Sequence, residues 1–256
     1  MQAKIRRGKK TIKAEKGENN NLYEILSKYY DGLMTDFDYD AYEAFLAEKL
    51  TGLTDGYDMA CGSGEMTVRL KKIGYDVAGC DVSPEMLEKA VGKARRQRLN
   101  IPFFVCDLNN IGTIKKRDFV TAVCDGFNYV RPNNLSKAFS TIYALLNEGG
   151  VFVFDISSEH KLKHVLGNNL FFEDNENLTY FWQNSLKGDK VKMELTFFEK
   201  QGDSYKRSDE TETQYVHKAS EIAAALKGAG FKTEFFNEKF KKFNESDNRL
   251  VAVAKK

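Results

Sequence analysis

The turn Asp58-Met-Ala-Cys-Gly-Ser-Gly64 constrains this chain more than any other segment. It joins a short strand at 57–60 to a helix at 65–73, on which Met66, Leu70 and Ile73 share one face. Two glycines at a strand-to-helix turn leave backbone N–H groups open to a ligand, because no Cβ shields them. Seventeen residues past Gly64, Asp81 closes the next strand, 76–80, where a carboxylate can accept hydrogen bonds from both hydroxyls of a ribose. A β-α-β unit of this kind belongs to a parallel sheet, and its ligand carries a nucleoside.

The rest of the chain keeps the same rhythm. Segments 22–30 and 42–50 have helical spacing and are separated by an acidic, aromatic link at 31–40. Ser83 and Pro84 are suited to open a helix over 84–98, as N-cap and first helical residue. Strands are predicted at 102–106 and 119–124, then a helix at 134–146 closed by Gly149-Gly150, then an apolar strand at 151–156. From about 160 to 216 polar and apolar residues alternate, and Lys187-Gly-Asp and Gln201-Gly-Asp have the form of hairpin turns. A helix at 219–227 and strands at 231–236 and 250–254 resume the first pattern. The predicted fold is α/β: a Rossmann-like, doubly wound sheet with an inserted antiparallel β lobe.

The identity of the cofactor follows partly by elimination. Nicotinamide and flavin sites use G-x-G-x-x-G/A, but the run here is Gly62-Ser-Gly64-Glu-Met-Thr67, without the third small residue. Glu65 at the helix start would repel a phosphate, and no Gly-Lys-Ser/Thr follows to form a P-loop. S-adenosylmethionine, with a ribose, an adenine and an amino-acid end in place of phosphates, is the common choice that remains.

Composition narrows the partners. The chain has 256 residues, 39 Lys and Arg against 37 Asp and Glu, so its overall charge does not point to a polyanion. No apolar run approaches the roughly 20 residues of a membrane span, and the N-terminus lacks a secretory core. Four cysteines without such a leader are expected as free thiols in a cytoplasmic protein. The first 20 residues carry seven basic and two acidic side chains. They are expected to form a disordered tail ahead of one domain spanning 21–256; a nucleic-acid-binding arm is the competing reading, weakened by the lack of aromatic residues for stacking.

In open parallel sheets the ligand sits beyond the carboxyl ends of the strands. Those ends read Ala60-Cys61-Gly62, Cys80-Asp81, Cys106-Asp107, Cys124-Asp125 and Asp155. The cysteines are expected to face different ways and to pack as small hydrophobes, so no metal is expected. The aspartates fit a ligand in order. Asp81 suits the ribose, Asp107 with Leu108 suits the adenine amine, Met86 covers an adenine face, and Asp125 lies near the methionine end or the methyl acceptor. His160 and His164, four apart with lysines between them, are expected on a solvated helix.

Taken together, Asp58 to Gly64, Asp81-Val-Ser-Pro-Glu-Met-Leu87, Cys106-Asp-Leu108 and the run Leu145 to Asp155 resemble class I S-adenosylmethionine-dependent methyltransferases. Tyr29-Tyr-Asp-Gly-Leu-Met34 resembles the opening of the small-molecule branch, which includes sugar N-methyltransferases and glycine N-methyltransferase-like enzymes. The resemblance spans roughly 22–256. It implies that Tyr23 and Tyr30 close over the cofactor and that Gly62 and Gly64 approach its methionine moiety. Ala60, where the family often has glycine, and Val82 complete the expected contacts. It also implies a last strand antiparallel at the sheet edge and a lobe over the active site.

Methyl transfer from a sulfonium is an in-line displacement, so alignment and exclusion of water carry most of the catalysis. A base helps only where the acceptor must lose a proton. Tyr129 and His217 are the candidates. Asp125-Gly-Phe-Asn-Tyr129 departs from the Asn/Asp-Pro-Pro-Tyr common in enzymes that methylate nucleic-acid bases, which favours a small-molecule acceptor. Phe127, Tyr129, Phe171, Phe172, Tyr180, Phe181 and Trp182 are candidates for an aromatic lid. The alternatives are an RNA methyltransferase using the basic tail and a non-catalytic cofactor-binding protein.

Overall fold

The structure, a computed structural model, describes residues 26–34 and 37–256. The basic tail and Tyr23 lie outside the described residues. Two short helices, α1 (Leu26–Leu33) and α2 (Tyr39–Lys49), precede the alternating core. The core comprises β1 (Asp55–Met59), α3 (Glu65–Lys72), β2 (Asp76–Asp81), α4 (Pro84–Arg96), β3 (Phe103–Val105), β4 (Arg117–Ala122), α5 (Pro132–Leu145) and β5 (Leu146–Ser157). A π-helical segment, Lys161–Leu166, leads into β6 (Leu170–Asp174), β7 (Leu178–Lys187), β8 (Lys190–Gln201) and β9 (Ser204–Tyr215). The chain then returns through α6 (Ala219–Ala229), β10 (Lys232–Phe236) and β11 (Arg249–Lys255).

Seven strands form the main sheet in the order β10-β11-β5-β4-β1-β2-β3, and β6 to β9 form a separate antiparallel sheet. Side-chain alternation sends each central strand into two cores. Val120, Phe152, Phe154 and Ala252 pack under α5 and α6. Their neighbours Phe119, Val151, Val153 and Val251 pack under α2 and α3. Strands buried on both faces read as continuous apolar runs, which is why 151–156 and 250–254 lack a polar face. Phe152 and Phe154 are fully buried, and burying each stabilises the fold by about 1.5–3 kcal/mol.

Caps appear where the sequence calls for them. The Ser83 hydroxyl accepts from Met86 N at 3.1 Å, with Pro84 in the first turn. Asp38 accepts from Ala41 N at 3.0 Å. The two hairpins of the lobe turn through Gly188-Asp189 and Gly202-Asp203, with each glycine at positive φ.

Three expectations change. The last strand, β11, is antiparallel but does not lie at the edge: it sits between β5 and β10. Its run Leu250-Val-Ala-Val-Ala254 is buried on both faces, whereas β10 carries Lys232 and Glu234 and takes the edge. Gly149 and Gly150 do not close a helix. β5 begins immediately after α5, and its pairing with β4 shifts between Arg117 and Phe119, opposite the glycines. The lobe sheet itself covers 170–215, because 161–166 is helical. Among the described residues no helix is long and apolar enough to cross a membrane.

Candidate functional site

The glycine turn closes on itself through short-range bonds. Gly64 N–H donates to Cys61 O at 2.9 Å, and Gly64 has φ 77° at the start of α3. A Cβ on Gly64 would come within 2.7 Å of the Ala90 Cβ, so this glycine also lets α3 and α4 approach. Ala60 adopts the left-handed conformation too, at φ 52°, a strain of roughly 1–2 kcal/mol for a residue with a Cβ. Gly126 makes room for it: a Cβ there would sit 2.6 Å from that of Ala60.

Asp81 stands at the end of β2 beside this turn. Its carboxylate accepts from Gly62 N and Ser83 N, each at 2.9 Å. Burial pushes its pKa up, against the backbone N–H groups of Ser83, Gly62 and Val82. Val82 is 42 % exposed at the mouth, and Met86 is buried one turn into α4. Asp107 caps the short turn Leu108–Asn110, accepting from Asn109 N at 2.8 Å, and Leu108 is buried beneath it. The first two strand-end aspartates and the glycine turn therefore meet at one rim.

Sequence reading missed Asp58 as a structural hub. It is buried, and accepts from the hydroxyls of Thr67 and Thr121. Burial raises its pKa to about 6, the two hydroxyls pulling the other way. Thr67 thus occupies the position of the missing third glycine because its hydroxyl is needed by Asp58. The signal was present in the pair Asp58 and Thr67, nine apart across the turn.

Glu65 does not act as a free charge. It accepts from Lys93 Nζ and Arg69 Nε, each at 2.9 Å. Burial opposes its ionisation, but these cations hold its pKa below the ordinary value. Its repulsion of a phosphate is therefore largely cancelled, and the case against a pyrophosphate rests on Thr67 and on the absence of a lysine in the turn.

Asp125 belongs to a different constellation. Arg249 Nη1 lies 2.6 Å from Asp125 and 2.7 Å from Asp155. Asp155 also accepts from the N–H groups of Cys124 and Asp125, both in the left-handed region. Ser157 Oγ and Gln214 Nε2 reach Asp125 at 3.3 and 3.5 Å. Burial works against the Asp125 anion, but Arg249 and Lys161 together outweigh it and lower the pKa.

Tyr30 lies over the turn, where a Cβ on Gly62 would be 3.8 Å from its ring. Burial drives its pKa well up. A small cleft open to solvent is lined by Tyr30, Tyr39, Ala60, Gly62, Ser63 and Cys124, among others.

The other candidates are distributed differently. His217 is buried just before α6 with Nε2 3.0 Å from Val130 O, and burial lowers its pKa. Tyr129 packs against the inner face of the lobe with Phe171, Tyr180 and Trp182. Phe127 lies in the main core against Phe154, and Phe172 and Phe181 point outward from the lobe, 68 % and 39 % exposed. The period of two in β6 and β7 decides that split. All four cysteines are free thiols, with Cys80 buried and Cys61, Cys106 and Cys124 partly so. His160 and His164 have ring centroids 5.4 Å apart, and no group of three or more metal-ligating side chains occurs among the described residues.

The residues at the rim fit an adenosine-bearing sulfonium. A carboxylate with lone pairs to spare faces the turn, an apolar Val82 and Met86 flank it, and no lysine in the turn serves a triphosphate.

Comparison with known proteins agrees. Residues 57–150 match a family model described as a methyltransferase domain. A Geobacillus sp. strain WCH70 protein, classed by name as a methyltransferase, is 35% identical over 91% of this chain and 99% of its own length. The crystal structure of an S-adenosylmethionine-dependent methyltransferase from Clostridium acetobutylicum is 34% identical, with a TM-score of 0.83 over 91% of this chain and 98% of that one. The sugar N-methyltransferase KedS8 from Streptoalloteichus shares the fold at 20% identity, TM-score 0.74, covering 99% and 100%. The chain belongs to the class I S-adenosylmethionine-dependent methyltransferases, and S-adenosylmethionine is its cofactor.

Proposed function

We propose that this enzyme methylates a small-molecule acceptor at nitrogen or oxygen. The observation that carries the reading is the anchoring of the lobe beside the strand ends: Gln214 of β9 reaches Asp125 at 3.5 Å, and Asn128 Nδ2 donates to Tyr215 O at 3.1 Å. A second sheet anchored beside the strand ends narrows the approach to them, which favours a small molecule over a folded nucleic acid. The shared fold with a sugar N-methyltransferase supports the same class of acceptor. Four free thiols suit a reducing compartment, the cytoplasm.

Each residue has a defined task in this reading. Asp81 accepts from the ribose hydroxyls, and Asp107, Leu108 and Met86 hold the adenine. Gly62, with Ala60 behind it, presents backbone to the amino-acid end, and Tyr30 covers it. When bound, the cofactor supplies an already electrophilic methyl group. The protein aligns the acceptor and excludes water. Asp125, kept ionised by Arg249, accepts a hydrogen bond from the acceptor's N–H or O–H and orients its lone pair.

The test is methyl transfer from labelled cofactor to a panel of amines, amino acids and nucleotide sugars, with total RNA as the opposing arm. Turnover of a small molecule is the expected result. Salt-sensitive methylation of RNA that disappears on deletion of residues 1–20 would overturn it in favour of the nucleic-acid reading. The site assignment is tested separately: Asp81→Ala should weaken binding of S-adenosylhomocysteine about ten- to a hundredfold by calorimetry. Unchanged affinity would remove Asp81 from the ribose.

A further inference from the structure

Three consecutive side chains of α1 point three ways, as a rotation of about 100° per residue requires. Tyr29 reaches the lobe: its hydroxyl donates to Glu199 of β8 at 2.7 Å, and its ring stacks on Phe197 at 6.3 Å. Tyr30 covers Gly62. Asp31 accepts from the Ser63 hydroxyl in the glycine turn and pairs with Lys93 of α4 at 3.1 Å. The first turn of α1 is tied to the lobe as well, because Leu26 N–H donates to the Glu210 carboxylate at 3.2 Å. α1 therefore spans from the lobe to the cofactor turn.

Lys93 is unusual for its burial. Its side chain is 9 % exposed, and its ammonium meets Asp31, Ser63 Oγ at 3.2 Å and Glu65 at 2.9 Å. Burying an ammonium costs several kcal/mol unless it is well paired. Neither the adenosine rim nor the acceptor side requires a cation at this point. Its partners are one residue from α1, one from the glycine turn and one from the start of α3.

We infer that Lys93 is a positioning residue that latches α1 across the glycine turn through Asp31, so that α1 is a strap joining cofactor retention to the acceptor lobe. The inference rests on the reading of the Gly62 turn as part of the cofactor site. Holding Tyr30 down through Asp31 slows cofactor loss, and the links through Tyr29 and Leu26 pass the state of the strap to the lobe. By linkage, an acceptor that orders the lobe tightens the cofactor by the same factor that the cofactor tightens the acceptor.

The experiment uses the full chain and S-adenosylhomocysteine, which needs no acceptor. Asp31→Asn removes one charge at a side chain 55 % exposed and leaves Lys93 paired with Glu65, so folding should be preserved. It should weaken binding about tenfold, the loss of a charge-assisted hydrogen bond and an ion pair. Lys93→Met should do the same, Lys93→Arg should retain most of the affinity, and the double variant should be no weaker than the worse single one. Hydrogen exchange at residues 26–34 should be faster in both single variants and should no longer slow on ligand binding. Affinity within about twofold of wild type in Asp31→Asn, with exchange unchanged, overturns the strap. Losses that multiply in the double variant also overturn it, since Lys93 would then act through Glu65 alone. Asp81→Ala separates the two readings. If it weakens binding and Asp31→Asn does not, only the strap fails; if neither does, the cofactor site itself is misplaced.

Discussion

The two halves of the rim solve the same problem in opposite ways. At the ends of β1 and β2, Asp58 and Asp81 are buried carboxylates stabilised by neutral donors: two threonine hydroxyls and two backbone N–H groups. At the ends of β4 and β5, Asp125 and Asp155 share a full cation, Arg249. The consequence is electrostatic. Asp58 rises to about 6, while Asp125 falls below the usual range. Neutral donors leave lone pairs free and tolerate a neutral carboxyl, which suits recognition of hydroxyl groups. A shared cation fixes both charge and geometry.

The sharpest way to break this contrast is to remove the cation. Arg249→Met strips two buried carboxylates of their shared cation and should destabilise the protein by about 3–5 kcal/mol in denaturant titrations. A loss below about 1 kcal/mol would mean that the β4–β5 half, like the other, relies on neutral donors.

A smaller effect separates the halves by pH. Because Asp58 titrates near 6 in the folded protein, above its ordinary 3.8, the folded state binds this proton more tightly than the unfolded one. Its contribution is present below the unfolded pKa and is lost as pH rises from about 4 through 6. That span corresponds to roughly 3 kcal/mol as an upper figure. Asp58→Asn should therefore gain stability relative to wild type across this window, as the threonine hydroxyls reorient to the amide. Parallel stability curves from pH 4 to 7 would show that the hydroxyls fully compensate burial.

The smallest effect concerns the candidate base. His217 bonds to the Val130 carbonyl and not to the rim. His217→Gln should change the methyl-transfer rate less than about threefold, and stability by about 1 kcal/mol. A pH–rate profile that loses a limb near neutrality in this variant would return His217 to catalysis.

The same contrast explains what could be read in advance. Asp81 finds its partners at Gly62 and Ser83, 19 and 2 residues away, within one β-α-β unit. Local spacing carries that information, and both the acidic residue beside the glycine turn and the strand-helix rhythm were legible from it. Arg249 is 124 residues from Asp125, on the last strand, and no local pattern links them. Asp125 was therefore placed near the reacting groups without its partner. The lobe was half legible: alternation marked its strands, but which face turned inward depended on what the lobe packs against. That packing sends Phe172 and Phe181 outward and Tyr180 and Trp182 inward.

By itself, the sequence determined the doubly wound sheet, the glycine turn and the acidic residue that answers it, because backbone sterics and short-range hydrogen bonds act over a few residues. Only the tertiary structure decided that β11 slips inside β10, that Thr67 and Thr121 hold Asp58, that Arg249 binds two strand ends, and that Lys93 and Asp31 fasten α1 over the turn. These are contacts between elements far apart in the chain, set by which surfaces must be buried and which buried charges must then find partners.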